Sequence, residues 1–326
     1  MNLLRYLLWP LAFLYGSVMQ IRNFLFARKI LKSVEFEIPI ISVGNLAVGG
    51  SGKTPMVKTL IGMLQNDYKI GILSRGYGRK TKGFLNVAEG GLAEQFGDEP
   101  LEIKNAYPSV EVAVCENRVL GISELIGSSP TLNLIILDDA FQHRYVKPKI
   151  SLLLSKANKP FYKDLVMPAG RLREFWFNYK RADAIIFTDF NGQKLAGFNI
   201  PVFHSTLVYD ELKPVYGQSE LPTKCLAVSA LANAQSFEYE VKKHVDTVKT
   251  ISFKDHFNYY PSTVKRLEKM ASEFDKNIVT TAKDWVKLKP LIDKINPDFS
   301  VFILPVKSEI LEKETFRNWL IASLKN

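Results

Sequence analysis

The chain has 326 residues, 47% of them hydrophobic and 23% charged, a balance that excludes intrinsic disorder and supplies a sizeable core for one large or two medium domains. Its 43 Lys and Arg outnumber 33 Asp and Glu for a net charge of +10, which favours anionic partners: nucleic acid, a negatively charged membrane surface or a phosphorylated substrate. Cys115 and Cys225 lie far apart in apolar segments without metal-ligand spacing, and read as buried thiols in a reducing compartment.

Residues 3–26 are dominated by Leu, Phe, Trp, Tyr, Val and Ile, with Leu4, Leu7, Leu8, Leu11, Leu14, Tyr15 and Val18 in helical spacing. The charge-free run 6–21 carries Pro10 and is shorter than the roughly 20 residues needed to span a bilayer. No small-residue cleavage pattern precedes the basic exit at Arg22, Arg28 and Lys29, so a signal peptide does not fit. Aromatic content and basic flanks predict a helix lying in a membrane surface. Packing of that helix on its own domain is the alternative.

The apolar run 38–43 leads into GGSGKTP at 49–55. A strand feeding a glycine-rich turn into a helix presents backbone amides to an anion; Lys53 can reach terminal phosphates and Thr54 can offer its hydroxyl to Mg²⁺. The strict pattern G-x-x-x-x-G-K-[ST] would need glycine at Ala47, but Gly49 and Gly50 give VGGSGKT the look of the variant loop KGGxGKT of a group of ATPases, with Val48 in place of its second lysine. The expected nucleotide loop is therefore Ala47, Val48, Gly49, Gly50, Ser51, Gly52, Lys53 and Thr54, and the expected ligands are ATP and Mg²⁺.

Short apolar runs then recur between helix-compatible stretches, as in a parallel sheet covered by helices. Strands are expected at 38–43, 69–74, 110–114, 132–137, 150–154 and 184–187. A second set follows at 225–229, 248–253, 278–281 and 301–304, with helices at 235–243, 263–274 and 313–324. The stretch 203–224, with Pro214, Gly217 and Pro222, reads as a link. The predicted fold is α/β: a membrane-associated helix at 1–30, a P-loop NTPase-like domain at 31–205 with a mostly parallel sheet and helices on both faces, and a smaller α/β domain at 206–326 closing over the cleft.

LNLIILDD at 132–139 has the form of a buried strand tipped with acids. Carboxylates at that end can hold Mg²⁺ and orient a nucleophile, so Asp138 and Asp139 join Thr54 as candidate metal ligands and Asp139 joins Lys53 as a candidate catalytic group.

Seven segments in order, GNLAVGGSGKTP (44–55), LSRGYGR (73–79), GDEP (97–100), LDDAFQHR (137–144), PAGRLRE (168–174), DHF (255–257) and TTAKDWVKL (280–288), resemble the tetraacyldisaccharide 4′-kinase family, the lipid A 4′-kinases of Gram-negative bacteria. The resemblance implies transfer of the γ-phosphate of ATP to the 4′-hydroxyl of a tetraacyldisaccharide 1-phosphate, giving lipid IV A. It also implies two α/β/α domains with a cleft between them, at the cytoplasmic face of the inner membrane. By motif the family's catalytic Asp and His fall on Asp98 and His256, where the acid can orient the ring and raise its proton affinity. Read without the family, Asp98 is an ordinary loop acid and His256 a structural group.

Arg75, Arg79, Arg118, Arg171 and Arg173 are candidates to grip ATP phosphates or the substrate's 1-phosphate, and Gln142 and His143 are expected to line the same cleft. The chain departs from the family pattern at Ala140, Phe257 and Ala282, where Gly, a second His and Glu are common. A membrane-associated P-loop ATPase or GTPase acting as an assembly or delivery switch is the competing class, but NKPF at 158–161 lacks the acid of a guanine signature. No basic and aromatic nucleic-acid module is present, so the expected partners are a glycolipid and a membrane surface, without nucleic acid or an obligate protein partner.

Overall fold

A computed structural model describes residues 3–231, 234–255 and 257–325. The chain opens with α1 (Leu3–Ala27) and continues through β1 (Ile40–Asn45), α2 (Lys53–Leu64), β2 (Ile70–Ser74), β3 (Leu85–Asn86), α3 (Ala93–Phe96), α4 (Asp98–Ala106), β4 (Glu111–Val114), α5 (Arg118–Ser128), β5 (Leu134–Asp138), β6 (Ile150–Lys156), β7 (Ala184–Thr188) and β8 (Val202–Tyr209). There follow β9 (Lys213–Tyr216), β10 (Lys224–Ser229), α6 (Ala234–His244), β11 (Thr247–Ser252), α7 (Pro261–Ala271), β12 (Asn277–Thr281), α8 (Ala282–Ile295), β13 (Ser300–Leu304), β14 (Val306–Ile310) and α9 (Lys313–Lys325).

Among the described residues the first sheet has the order β14-β8-β7-β6-β1-β5-β2-β4-β3 and is parallel except at its edge strands β14 and β3. β1, β5 and β7 are buried along their whole length, which is why they read as unbroken apolar runs. Val43 of β1 pairs with Asp138 of β5, so the two strands end side by side, at the carboxyl edge where open parallel sheets bind ligands. α2 buries Met56, Val57, Leu60, Ile61 and Leu64, one face at helical spacing, in the core that also holds Ile41, Val43 and Ile136. The second sheet runs β11-β10-β12-β13-β9, with β9 alone antiparallel.

The topology departs from the expected division at residue 205. β8 extends the first sheet to Tyr209, and after the second sheet is complete the chain returns: β14 pairs with β8, and α9 sends Phe316, Leu320 and Leu324 into the first core. Burying each of these side chains is worth about 1.5–3 kcal/mol, which anchors the returning segment. Half of the expected link at 203–224 is instead strand, in β8 and β9. The two crossings between sheets lie side by side, joined by a hydrogen bond from Asp210 N to the Pro305 carbonyl at 3.0 Å.

α1 divides its surface between the two readings of the sequence. Ala12, Asn23 and Phe26 are buried, Asn178 Nδ2 donates to Gln20 Oε1 at 3.1 Å, and the rings of Phe13 and Phe175 lie 6.4 Å apart. On the other side Leu7, Leu11, Leu14, Val18 and Ile21 form an open apolar stripe, each at least 57% exposed. No described helix is long and apolar enough to cross a membrane.

Candidate active site

The turn from β1 to α2 is organised by a residue that sequence reasoning passed over. The Asn45 side chain, 1% exposed, donates from Nδ2 to the Ala47 carbonyl at 2.6 Å and to Ser51 Oγ at 2.8 Å, while its Oδ1 accepts from Lys53 Nζ at 3.4 Å. Gly52, in the left-handed region at φ 79, hands the loop to α2, whose first residue is Lys53. A second loop braces the first: Val48 N donates to the Arg171 carbonyl at 2.8 Å and Arg173 N to the Leu46 carbonyl at 2.7 Å.

Two carboxylates follow β5 and differ in surroundings. Asp138 is buried, its Oδ2 accepts from Ser74 Oγ at 3.3 Å, and its Oδ1 has no hydrogen-bond partner among the described residues. Burial, followed by the charge of Asp139, raises its pKa to about 6. Asp139 turns the chain at φ 48 and receives the Arg173 guanidinium on both oxygens at 3.0 and 3.2 Å, with Lys53 Nζ 3.6 Å away. Burial works to raise its pKa, but Lys53 and Arg173 together hold it below the usual carboxylate range. No helix starts after this pair, so Asp139 caps nothing.

A cleft of about 810 Å³ opens over these groups. Its floor is the loop from Val48 to Thr54 with Asp138 and Asp139. Arg75, Gln142, His143 and Arg173 line it from the same sheet, Thr281 and Lys283 from the second, and Tyr15 and Met19 from α1. Asp98 and Glu99 begin α4, and α8 meets them with two ammonium groups: Lys287 lies 3.1 Å from Asp98 and Lys283 3.7 Å from Glu99 and 3.3 Å from Asp255. Burial pulls the Lys283 pKa down, but Glu99 and Asp255 outweigh it and the net shift is upward, so the site keeps this positive charge. His256 lies outside the described residues.

An orphaned buried carboxylate oxygen on Asp138, with the Thr54 side chain on the same cleft floor, fits a hard cation. Among the described residues no cluster of three or more His, Cys, Asp or Glu forms a ready metal cage.

The sequence matches the tetraacyldisaccharide-1-P 4′-kinase (LpxK) family over residues 4–325. The chain belongs to this kinase family. The tetraacyldisaccharide 4′-kinase of Cytophaga hutchinsonii is 37% identical, with 94% of this chain and 92% of that protein covered. That of Bacteroides thetaiotaomicron is 34% identical, over 94% and 89%. The crystal structure of LpxK from Aquifex aeolicus in complex with ATP matches at a TM-score of 0.81 and 32% identity, over 99% of this chain and 100% of that one.

Asp98, at the start of α4, is not among the residues lining the cleft; apart from it and His256, the expected residues of this chain fall into three groups. Val48 to Thr54, Asp138, Asp139, Arg75, Gln142, His143 and Arg173 converge on the cleft. Ala47 supports it from behind by bridging to Leu172, and Arg118, 2% exposed, donates to the Cys115 and Asp138 carbonyls at 2.5 and 3.3 Å behind the acidic pair. Arg79 and Arg171 are not brought to the cleft: Arg79 is held by Glu116 and the Gly83 carbonyl, and Arg171 by Asp164. The departures have structural fillers: Phe257 stacks on Phe253 with centroids 4.4 Å apart, and Ala282 lines the cleft without a polar group.

Proposed function

We propose that this kinase transfers the γ-phosphoryl group of ATP to the 4′-hydroxyl of a tetraacyldisaccharide 1-phosphate, giving lipid IV A, with the cleft above Lys53 and Asp138 as its active site. The observation that carries the reading is the meeting of a glycine loop, its lysine and an unpaired buried carboxylate oxygen on one cleft floor, in a chain whose fold matches a family member bound to ATP.

The chemistry follows from the groups present. Loop amides and Lys53 oppose the charge of the phosphates as the bond to the β-phosphate loosens. Thr54 and Asp138, with Asp139 beside them, would hold Mg²⁺, which supplies charge neutralisation across the phosphates. Asp98 is assigned with His256 to remove the proton of the attacking alcohol, and Lys287 Nζ lies 3.1 Å from the Asp98 carboxylate. Arg75, Arg173, Gln142 and His143 face the space where the sugar and its phosphate would lie; Arg118 supports Asp138, and Arg79 and Arg171 hold the loops around the site.

The apolar stripe of α1 suits a lipid surface, and Tyr15 and Met19 of the same helix line the cleft, so a glycolipid headgroup can enter while its acyl chains stay beside the helix. A position on the cytoplasmic face of the inner membrane, where ATP is available, follows from this reading. Incubating the protein with ATP and tetraacyldisaccharide 1-phosphate in mixed micelles should add one phosphate to the lipid, and Lys53→Ala should lower the rate by roughly 10²–10³-fold. Undiminished lipid phosphorylation by that variant refutes the site; release of inorganic phosphate with no lipid product is the behaviour of a nucleotide switch.

A further inference from the structure

We propose that Glu174 is a positioning residue that couples the docking of α1 to the geometry of the phosphate loop, so that nucleotide affinity depends on how the N-terminal helix is seated. Glu174 closes the segment PAGRLRE, and the chemistry above makes no use of it. Its side chain is 1% exposed, and both oxygens are engaged. Oε2 accepts from Asn23 Nδ2 of α1 at 2.6 Å; Oε1 accepts from Arg181 Nη2 at 2.6 Å and from Gln142 Nε2 at 3.1 Å.

Gln142 carries the connection onward. Its Nε2 also donates to the Asn45 carbonyl at 2.9 Å, its Oε1 accepts from Arg173 Nη1 at 3.2 Å, and its own carbonyl accepts from Arg22 Nη2 of α1 at 3.0 Å. Asn45 holds Ala47, Ser51 and Lys53, and Arg173 holds Asp139. Two side chains of α1 thus reach the nucleotide loop through one carboxylate and one amide.

This chain of contacts favours two discrete states over a graded response. The Gln142 amide satisfies its neighbours in one orientation only, NH₂ toward the carboxylate and the carbonyl, oxygen toward the guanidinium; reversed, it sets oxygen against oxygen on two sides. A buried carboxylate that loses a partner must find another or leave a costly unpaired acceptor. Withdrawal of Asn23 therefore leaves Oε2 of Glu174 without its donor and loosens the carboxylate that fixes Gln142, and with it the hold on Asn45 and Arg173. Because coupling is reciprocal, nucleotide bound at the loop should in turn favour the docked helix.

The proposal rests on reading the loop at 47–54 as the ATP site, and Lys53→Ala is the control for that: if this variant binds MgATP like the wild type, the reading of the loop fails and not the coupling. The test is a double-mutant cycle on MgATP affinity in the full-length protein in detergent micelles, with Asn23→Leu, Glu174→Gln and the pair. Asn23 is not among the cleft-lining residues, so a purely structural role would leave affinity untouched once thermal melts show folded protein. The expectation is a loss of about fivefold or more in each single variant, with the pair no weaker than Glu174→Gln alone. Unchanged affinity in Asn23→Leu, or losses that simply multiply in the pair, overturns the proposal. Should Glu174→Gln melt below the assay temperature, the cycle of Asn23→Leu with Gln142→Met carries the same criteria.

Discussion

His143 sits at the cleft beside three cations. Burial first, then Arg118, Arg75 and Arg22, lowers its pKa to about 4, so the ring is neutral at pH 7 and can serve as a hydrogen-bonding group without adding charge to the site. The unfolded ring titrates near 6.5. The folded state therefore binds fewer protons, and the stability tied to His143 is present above pH 6.5 and lost as pH falls toward 4. Between pH 7 and pH 5 this amounts to at most about 2 kcal/mol, reduced by the ring's partial exposure. Urea unfolding of the wild type should show a steeper fall in stability over that interval than His143→Gln; equal falls would mean that the ring is not held neutral. Lys53, Thr54, Asp138 and Asp139 were legible in the sequence because each pair is adjacent and their spacing is itself the chemistry. Asn45, Lys283 and Lys287 were printed inside the recognised segments, yet their roles were hidden. Asn45 acts through a loop conformation, and the partners of the two lysines, Asp98 and Glu99, lie on a helix far away in the chain.

At the scale of elements, the placement of α4 depends on one residue. Gly97 has φ 91, and a Cβ there would lie 3.0 Å from the Tyr77 carbonyl oxygen and 3.1 Å from the Gly76 backbone. Both the conformation and the tight space oppose a side chain. Gly97→Ala should therefore destabilise the protein by about 1–3 kcal/mol and displace Asp98 and Glu99, lowering turnover of the lipid substrate more than it weakens MgATP binding. Wild-type turnover and melting temperature in this variant would show that the α4 terminus does not need its present position. The strands that the sequence revealed, from β1 to β7 apart from β3 and again from β10 to β13, are mostly parallel strands buried on both faces. Those it concealed are the edge strands β3, β9 and β14, and β8, which lies next to the edge. β9 contains Pro214, which argued for a link, yet an edge strand tolerates a residue that cannot donate to a ladder, and β8 and β14 bury residues alternately, a weaker signal in short runs.

The whole molecule brings three bodies to one cleft: the large sheet, the smaller sheet joined to it by the adjacent crossings near Asp210 and Pro305, and α1 along the side. Contacts between α4 and α8 hold the cleft's acidic and basic groups together, with the Lys287 side chain 6% exposed against Asp98. Among the described residues, α1 leaves a stripe of apolar side chains facing outward. Leu14, Val18 and Ile21 make no buried contacts that the fold requires, at 63%, 57% and 60% exposure, so replacing all three with Ser should change stability little. The same replacement removes side chains whose full burial in an apolar phase is worth about 1.5–3 kcal/mol each; partial insertion at an interface should still cost on the order of 10²-fold in binding to anionic phospholipid vesicles. Because Arg22 and Asn23 point to the other side of the helix, MgATP affinity should be preserved while the apparent KM for lipid substrate rises. Sedimentation with vesicles, paired with kinetics at varied lipid surface concentration, separates these outcomes. Vesicle binding that survives the triple replacement would mean that the basic surface, and not the apolar stripe of α1, holds the kinase at its substrate.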